Sequence, residues 1–462
     1  MIHPTTSMPM RLLRAGSYGF SPAVGRKLSS ATMQQTATKS RTPVFVDGAR
    51  IPFVMSGTSY KDLLAVDLGK LALRGLLNRN PEIQAKDVDY LLYGTVIQEV
   101  KTSNIARESS MAAGIPASVP AHTVTQACIS ANQAMCTGAE KIMAGSAEVV
   151  LAGGVETFSD VPIRFSRPVR QRMIDLPKAS KKGTTGILGL LRGLKFKDLS
   201  PETPAISSYT TGEVMGHSSD RLSGRFGISR QAQDEFALRS HENAAKAHAD
   251  GIYKDEIIPV DGSTEENGVK GGSTMEKLSG LKPAFIKPHG THTAANSSFL
   301  SDGASASLVM SEERALSMGV KPRSVFRSWT FVAVDPFEDL LLGPTYATAK
   351  VLKESGLTMK DIDVFEIHEA FAGQVLSNLA AMDSEDFAQK SMGLAGKVGE
   401  IPVDKLNIHG GSLSLGHPFG ATGVRLVATA TNRLHREGGR FALVAACADG
   451  GLGHACILER YG

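Results

Sequence analysis

Two stretches far apart in the chain repeat one plan: Ile83–Gln98 (IQAKDVDYLLYGTVIQ) and Leu357–Ala372 (LTMKDIDVFEIHEAFA). Each runs from a helix end, through Lys-Asp-Val/Ile-Asp, into a short apolar strand. Each follows a helix-period segment, AVDLGKLALRGLLNR in the first case and PTYATAKVLKESG in the second. The parallel continues downstream. TQACISANQAMCTGAEKIMAGSAEVVLAGGVE reads as a turn, a helix rich in small residues and a strand, and LGHPFGATGVRLVATATNRLHREGGRFALVAACADGG repeats that order. Short apolar strands alternating with helices point to parallel sheets covered on both faces. The repeat therefore predicts a duplicated α/β fold.

The halves are not contiguous. Residues 42–161 form the first, and residues 162–288 change character, becoming Gly-, Ser- and Lys-rich around a helical pattern at SRQAQDEFALRSHENAAKAHADG. We read that segment as an insertion. The chain returns to the first half over 289–317, and 318–462 forms the second half. Residues 1–41 carry Arg11, Arg14, Arg26, Lys27, Lys39 and Arg41 and no acidic residue, which is the composition of a mitochondrial presequence, with a solvated tail as the plainer reading.

Composition narrows the function. Hydrophobic content of 42% with 21% charged residues is ordinary for a globular enzyme, and a net charge of +4 gives no reason to expect nucleic acid. No apolar run reaches the roughly 20 residues of a membrane span. The four cysteines form no CxxC pair and no zinc-like spacing, so no metal is expected, and a reducing matrix would leave them as thiols instead of structural disulfides.

Of these cysteines, Cys128 lies at a turn leading into a helix, and the repeat sets His417 at the corresponding turn of the second half. Cys447 ends what reads as the last apolar strand, and His368 ends the strand matched to YLLYGTVIQ. In a doubly wound sheet such positions converge beyond the strands' C-terminal ends, beside helix N-termini. A buried core thiol is the ordinary role for a cysteine. The matched placement of His417 favours a nucleophile, with a pKa lowered by the helix N-terminus and by the imidazole. GGSLSLGHPFGATG (Gly410–Gly423) lacks the lysine of a phosphate loop. Its glycines instead let backbone approach a ligand and a partner strand. Cys136 and Cys456 read as helix and strand interior.

QACISANQAM, HEAFA, GGSLSLGHPFGATG and CADGGLG, in this order, resemble the thiolase family, as do TAANSSFLSDGAS and VMGHSSDRL. The likeness runs from about Thr42 to the C-terminus. It implies a five-layered α/β/α/β/α body with an inserted loop domain, working as a dimer. It implies that Cys128 is acylated by a 3-oxoacyl-CoA, that His417 takes its proton, and that Cys447 handles the protons of acetyl-CoA and CoA. Most of the family has Asn where this chain has His368, whose implied task is to hold the water of one oxyanion hole. The backbone N–H groups of Cys128 and Asp449 would make the other. Asp449 departs from the usual small residue there. Met215, Ala294, Ser298 and Phe371 would line the pantetheine channel. No cofactor is implied, since coenzyme A is a substrate.

HEAFA with KPAFIKP and LLLGPTYATAKVL is similar to the branch of the family that serves fatty-acid β-oxidation in mitochondrial complexes. That likeness implies an enoyl-CoA hydratase/3-hydroxyacyl-CoA dehydrogenase α-subunit as partner and a matrix location at the inner membrane. A biosynthetic thiolase condensing acetyl-CoA shares the same motifs, and a non-catalytic scaffold would not need them. The insertion also carries Lys181, Lys182, Arg192 and Lys195 around Ile187, Leu190, Leu191 and Leu194, which a continuous helix would place on one face. Such a basic amphipathic segment suits an anionic lipid surface. Gly189 and Gly193 weaken the helix, and a solvated loop or subunit contact is the alternative.

Overall fold

The computed structural model describes residues 41–205 and 207–462. The expected presequence, residues 1–41, falls outside them except for Arg41. The first half runs β1 (Pro43–Arg50), β2 (Val54–Met55), α1 (Ala65–Arg79), β3 (Tyr90–Gly94), α2 (Ile105–Ala112), β4 (Ala121–Val124), α3 (Ser130–Met143) and β5 (Val149–Glu156). Five helices follow: α4 (Arg167–Ser180), α5 (Gly183–Leu191), α6 (Met215–Arg225), α7 (Arg230–Ala249) and α8 (Met275–Ser279). The chain then enters β6 (Ser301–Ser311) and α9 (Glu312–Ser317). The second half runs β7 (Ser324–Ala333), α10 (Gly343–Ser355), β8 (Val364–Ile367), α11 (Ala372–Met382), α12 (Glu385–Met392), α13 (Ser412–Leu415), α14 (Thr422–Glu437), β9 (Phe441–Ala448) and β10 (Leu452–Arg460).

The repeat holds strand by strand. The sheet order is β4-β3-β5-β6-β1 in the first half and β7-β10-β9-β8 in the second, joined where β1 meets β7. The partner of β8 that would match β4 is reduced to one parallel bridge, Phe365 to Leu406. The sheets are mixed rather than parallel throughout, which corrects the sequence expectation. β3, β4 and β5 run parallel, as do β8 and β9, whereas β6 and β10 are antiparallel to both their neighbours. Cys447 accordingly lies in β9, and one further strand, β10, follows it.

Burial explains the layers. Apolar residues of α1 and α2 cover one face of the first sheet, and those of α10 and α11 cover one face of the second. Between the sheets lies a shared core in which Ala131, Ala134 and Met135 of α3 meet Val424, Val427 and Ala430 of α14, with Leu92, Val150, Val444 and Ala446 from the strands. Every residue of α14 from Thr422 to Leu434 is buried, so only the last turn of the helix, His435 to Glu437, reaches solvent. Its two buried arginines are paired rather than bare: Arg425 and Arg433 reach Glu366 at 3.4 and 2.9 Å. Without that partner, removing either charge from water would cost several kcal/mol, about 3–5 on breaking such a pair.

Candidate active site

The turn before α3 is built to expose one side chain. Ala127 takes a left-handed φ of 46°, a strained conformation for a residue with a Cβ. The Ser130 hydroxyl closes the turn, accepting from Gln126 N at 2.8 Å and donating to the Ala127 carbonyl at 2.7 Å. Cys128 stands half-buried in this turn. The turn before α14 is longer. Gly416, with φ of 100°, leads to His417, whose N–H donates to Ser301 Oγ at 2.9 Å and whose Nδ1 lies 2.7 Å from Thr422 Oγ1. His368 leaves β8 with its N–H on the Ala445 carbonyl (2.9 Å) and its Nδ1 3.0 Å from Ser412 Oγ.

These three residues converge. Cys128 Sγ and a ring nitrogen from each of His368 and His417 lie within 4.8 Å of one another, and the two imidazole centroids are 4.1 Å apart. The Nε2 of both rings is buried and has no hydrogen-bond partner among the described residues. Cys447 is buried in β9 and close enough that Cys128 contributes to raising its pKa.

The electrostatics reverse one expectation. Burial first, and then the Asp449 carboxylate, push the Cys128 thiol up to about 12, against the opposing hydrogen bond from the Asp449 backbone N–H. Burial and Arg425 hold His417 down to about 3. His368 is held low by burial, His417 and Arg425, and Cys447 is raised, chiefly by burial. The resting site is thus a neutral thiol beside neutral imidazoles, not a preformed thiolate–imidazolium pair, and Cys447 is not a thiol poised near neutrality. The helix N-terminus favours an anion, but desolvation of a thiolate in this core outweighs it.

The Asp449 carboxylate does not float in the site. Its Oδ1 accepts from the Ser208 hydroxyl and, at 2.7 Å, from Gly450 N, while the Asp449 backbone N–H points at the Cys128 sulfur. A charge therefore lies beside the Asp449 amide that the family resemblance assigns to an oxyanion hole. Sequence reasoning missed Glu156. Buried at the end of β5, its carboxylate accepts from Val96 N (3.0 Å), Ile97 N (2.9 Å) and Gly420 N (3.1 Å) and ties both halves together. The glycines of the His417 loop also approach partner strands as expected: a Cβ on Gly420 would lie 2.5 Å from the Val155 carbonyl.

Met215 and Phe371 share an apolar cluster with Cys447, Leu340, Leu341 and Phe285. Ser298 N donates to the Ala370 carbonyl at 2.9 Å, which runs its segment alongside Phe371. Ala294 is exposed and lies outside that cluster. Behind Phe371, His292 packs edge-on at 5.4 Å. Its ring is held between Asp220 Oδ1 and Ser219 Oγ, each at 2.9 Å. The basic segment forms two helices, not one. Pro177 lies inside α4, α5 ends at Leu191, and Gly193 at φ of 79° turns the chain away. Leu194 is therefore off the helical face expected for it. Ile187, Leu188 and Leu191 remain exposed, joined by Met173 and Ile174 of α4 and by Phe196.

A cysteine and a histidine at the matched turns of a duplicated α/β body, with a second histidine and a second cysteine around them, define a thiol-based acyl-transfer site. The sequence matches the thiolase N-terminal domain over residues 43–313 and the thiolase C-terminal domain over 320–460. The chain belongs to the thiolase family. It is 53% identical over 474 residues, covering 100% of this chain and 99% of the relative, to the human protein named trifunctional enzyme subunit beta, mitochondrial. It is 41% identical to a 3-ketoacyl-CoA thiolase of Yersinia enterocolitica, over 90% of this chain and 96% of that one. The crystal structure of the Bacillus anthracis acetyl-CoA acetyltransferase superposes with a TM-score of 0.77 at 29% identity, covering 91% of this chain and 99% of that chain.

Proposed function

We propose that this chain is the 3-ketoacyl-CoA thiolase subunit of a mitochondrial fatty-acid β-oxidation complex, cleaving long-chain 3-oxoacyl-CoA with CoA to acetyl-CoA and a shortened acyl-CoA. The observation that carries the reading is the convergence of Cys128 Sγ with the ring nitrogens of His368 and His417 within 4.8 Å. Cys128 attacks the 3-keto carbon while His417 Nε2 takes its proton. Because the free thiol is held protonated and His417 neutral, proton transfer accompanies C–S bond formation instead of preceding it. The carbon–carbon bond then breaks, and the electron pair passes to the acetyl-CoA enolate, which Cys447 protonates. Cys447 next takes the proton of the incoming CoA thiol, whose sulfur displaces the acyl group from Cys128, and His417 returns its proton to the departing Cys128 sulfur. Splitting the cleavage into two thioester steps is covalent catalysis. Donors near the thioester oxygens supply the stabilisation that such steps need.

The remaining assignments belong to the same proposal. Residues 162–288 act as a loop domain on the first half, residues 1–41 as a presequence, and Met215, Ser298 and Phe371 as the channel wall. The chain forms a homodimer, partners a hydratase/dehydrogenase subunit, and sits on the matrix face of the inner membrane through the exposed apolar surface of α4 and α5, flanked by Lys181, Lys182, Arg192 and Lys195. Thiolysis rates across 3-oxoacyl-CoA chains of different length, with Cys128→Ala alongside, test the core of it. Activity surviving in Cys128→Ala sinks the nucleophile, and a sharp preference for acetoacetyl-CoA favours the biosynthetic reading. For the membrane assignment, Lys181→Glu with Lys182→Glu is expected to lower co-sedimentation with cardiolipin-containing vesicles. Undiminished binding would count against it.

A further inference from the structure

The two histidines that face Cys128 are held by hydroxyls of opposite sense. Thr422 Oγ1 donates its own proton to the Pro418 carbonyl at 3.0 Å. The 2.7 Å contact between Thr422 Oγ1 and His417 Nδ1 therefore has to carry the ring's proton. His417 is left with N–H at Nδ1 and a lone pair at Nε2, as a base requires. Ser412 works the other way. Its Oγ accepts from Arg425 Nη2 at 3.2 Å, and its one other partner among the described residues is His368 Nδ1 at 3.0 Å. If His368 held its proton on Nδ1, Ser412 would accept twice and its buried hydroxyl proton would have no acceptor. Pairing the serine proton with Nδ1 puts the ring proton on Nε2, the one ring atom with no partner among the described residues and so the one left free for a ligand. Arg425 is itself held by Glu366 at 3.4 Å, which also receives Arg433.

We propose that Ser412, oriented by Arg425, is a positioning residue that fixes His368 as an Nε2–H donor, so that two adjacent histidines face Cys128 with opposite polarity. An amide at this place would present a donor in every state, whereas an imidazole is a donor only if its tautomer is fixed. Ser412 and Arg425 supply that constraint. With its proton on Nε2, His368 offers no lone pair there to a metal, so the three converging groups form a proton-handling set. Resting on the thiolytic reading, the donor serves the substrate oxygen that gains charge as the carbon–carbon bond breaks.

The test has a readout independent of turnover. In enzyme labelled with 15N-histidine and free of substrate, long-range 15N–1H correlation spectra are expected to show His368 protonated at Nε2 and His417 at Nδ1. The His368→Asn and His417→Gln spectra provide the assignments. A proton on Nδ1 of His368 overturns the proposal even if thiolysis is robust. In Ser412→Ala the His368 signal is expected to shift towards the other tautomer, with kcat falling on the order of 10²-fold, the scale of losing one oxyanion donor, and KM nearly unchanged. Ser412→Thr, which keeps the hydroxyl, is expected to retain the wild-type tautomer. In the His368→Asn background the same Ser412→Ala change is expected to cost less than about threefold, because contacting residues couple and an amide has no tautomer to lose. Equal losses in both backgrounds, or no loss in either, overturn the proposal. Should Ser412→Ala fail to fold, the wild-type and Ser412→Thr spectra decide. Absence of thiolysis in wild type with His368 protonated at Nε2 would refute the reaction and leave the tautomer standing.

Discussion

Gly154 near the end of β5 is the place where a single methyl group should cost most catalysis for least chemistry. A Cβ there would lie 1.8 Å from the Gly420 carbonyl oxygen and 2.8 Å from that of Gly94. Both neighbours are backbone, so no side chain can swing aside. Bringing the first contact only to 3.0 Å needs a displacement of about 1.2 Å of the loop that carries His417. A misplacement of about 1 Å costs on the order of 10²-fold in rate, and overpacking costs about 1–3 kcal/mol of stability. Gly154→Ala is therefore expected to lower kcat/KM for thiolysis by about 10²-fold or more while the melting temperature falls by only a few degrees. Thiolysis is followed by loss of the 3-oxoacyl-CoA absorbance, and melting by calorimetry. Gly224→Ala is the control, since a Cβ there meets nothing within 4 Å, and its activity should stay at wild-type level. If Gly154→Ala turns over within threefold of wild type, the close approach of β5 to the His417 loop does not hold the histidine in place.

Three further outcomes follow from the charges. Alkylation of Cys128 by iodoacetamide in the free enzyme should climb with pH without a plateau below pH 9, because burial and Asp449 hold the thiol up at about 12; a plateau near pH 7 would contradict the neutral resting pair. Asp449→Asn removes the charge that raises Cys128 while keeping an acceptor for Ser208, so alkylation at pH 8 should quicken a few-fold, and slower alkylation would refute the assigned sign. Burial raises Glu156 to about 7 from its ordinary 4.5. Glu156 thus binds more proton in the folded state than in the unfolded one between those values, and this group's contribution to stability falls as pH rises through that window. The stability of Glu156→Gln relative to wild type should then rise by up to about 1.4 kcal/mol per pH unit from pH 4.5 to 7 and be flat on either side, as denaturant titrations at each pH would show.

The amino-acid order carried the repeat, and with it the positions of Cys128, His417 and His368, because turns, helices and strands are local and their sequence signals survive duplication. It did not carry the antiparallel strands. β6 returns to the sheet only after the insertion, and nothing local in SDGASASLVMS announces the direction in which it will pair. The nucleophile's proton affinity was read with the wrong sign for a similar reason. A helix N-terminus is visible in the sequence, but the desolvation of Cys128 and the carboxylate of Asp449, 321 positions away along the chain, are not. Glu156, Ser412 and Arg425 were invisible as site residues because each acts through a partner brought by folding. The apolar period of the basic segment was legible, yet its glycines and Pro177 broke the single helix that the period suggested.

The middle layer has a consequence for anyone who would cut the chain. α3 and α14 press together so closely that a Cβ on Gly423 would lie 2.3 Å from the Asn132 side chain, and each helix also roofs its own sheet. Severing the polypeptide near residue 320 would give two pieces of comparable design, each with one sheet face and one apolar helix stripped of cover. Neither should persist as a soluble monomer. Produced together, they should find one another and restore thiolysis, as split reporters do, because the seam between them runs through the catalytic centre and neither fragment holds both the nucleophile and its base.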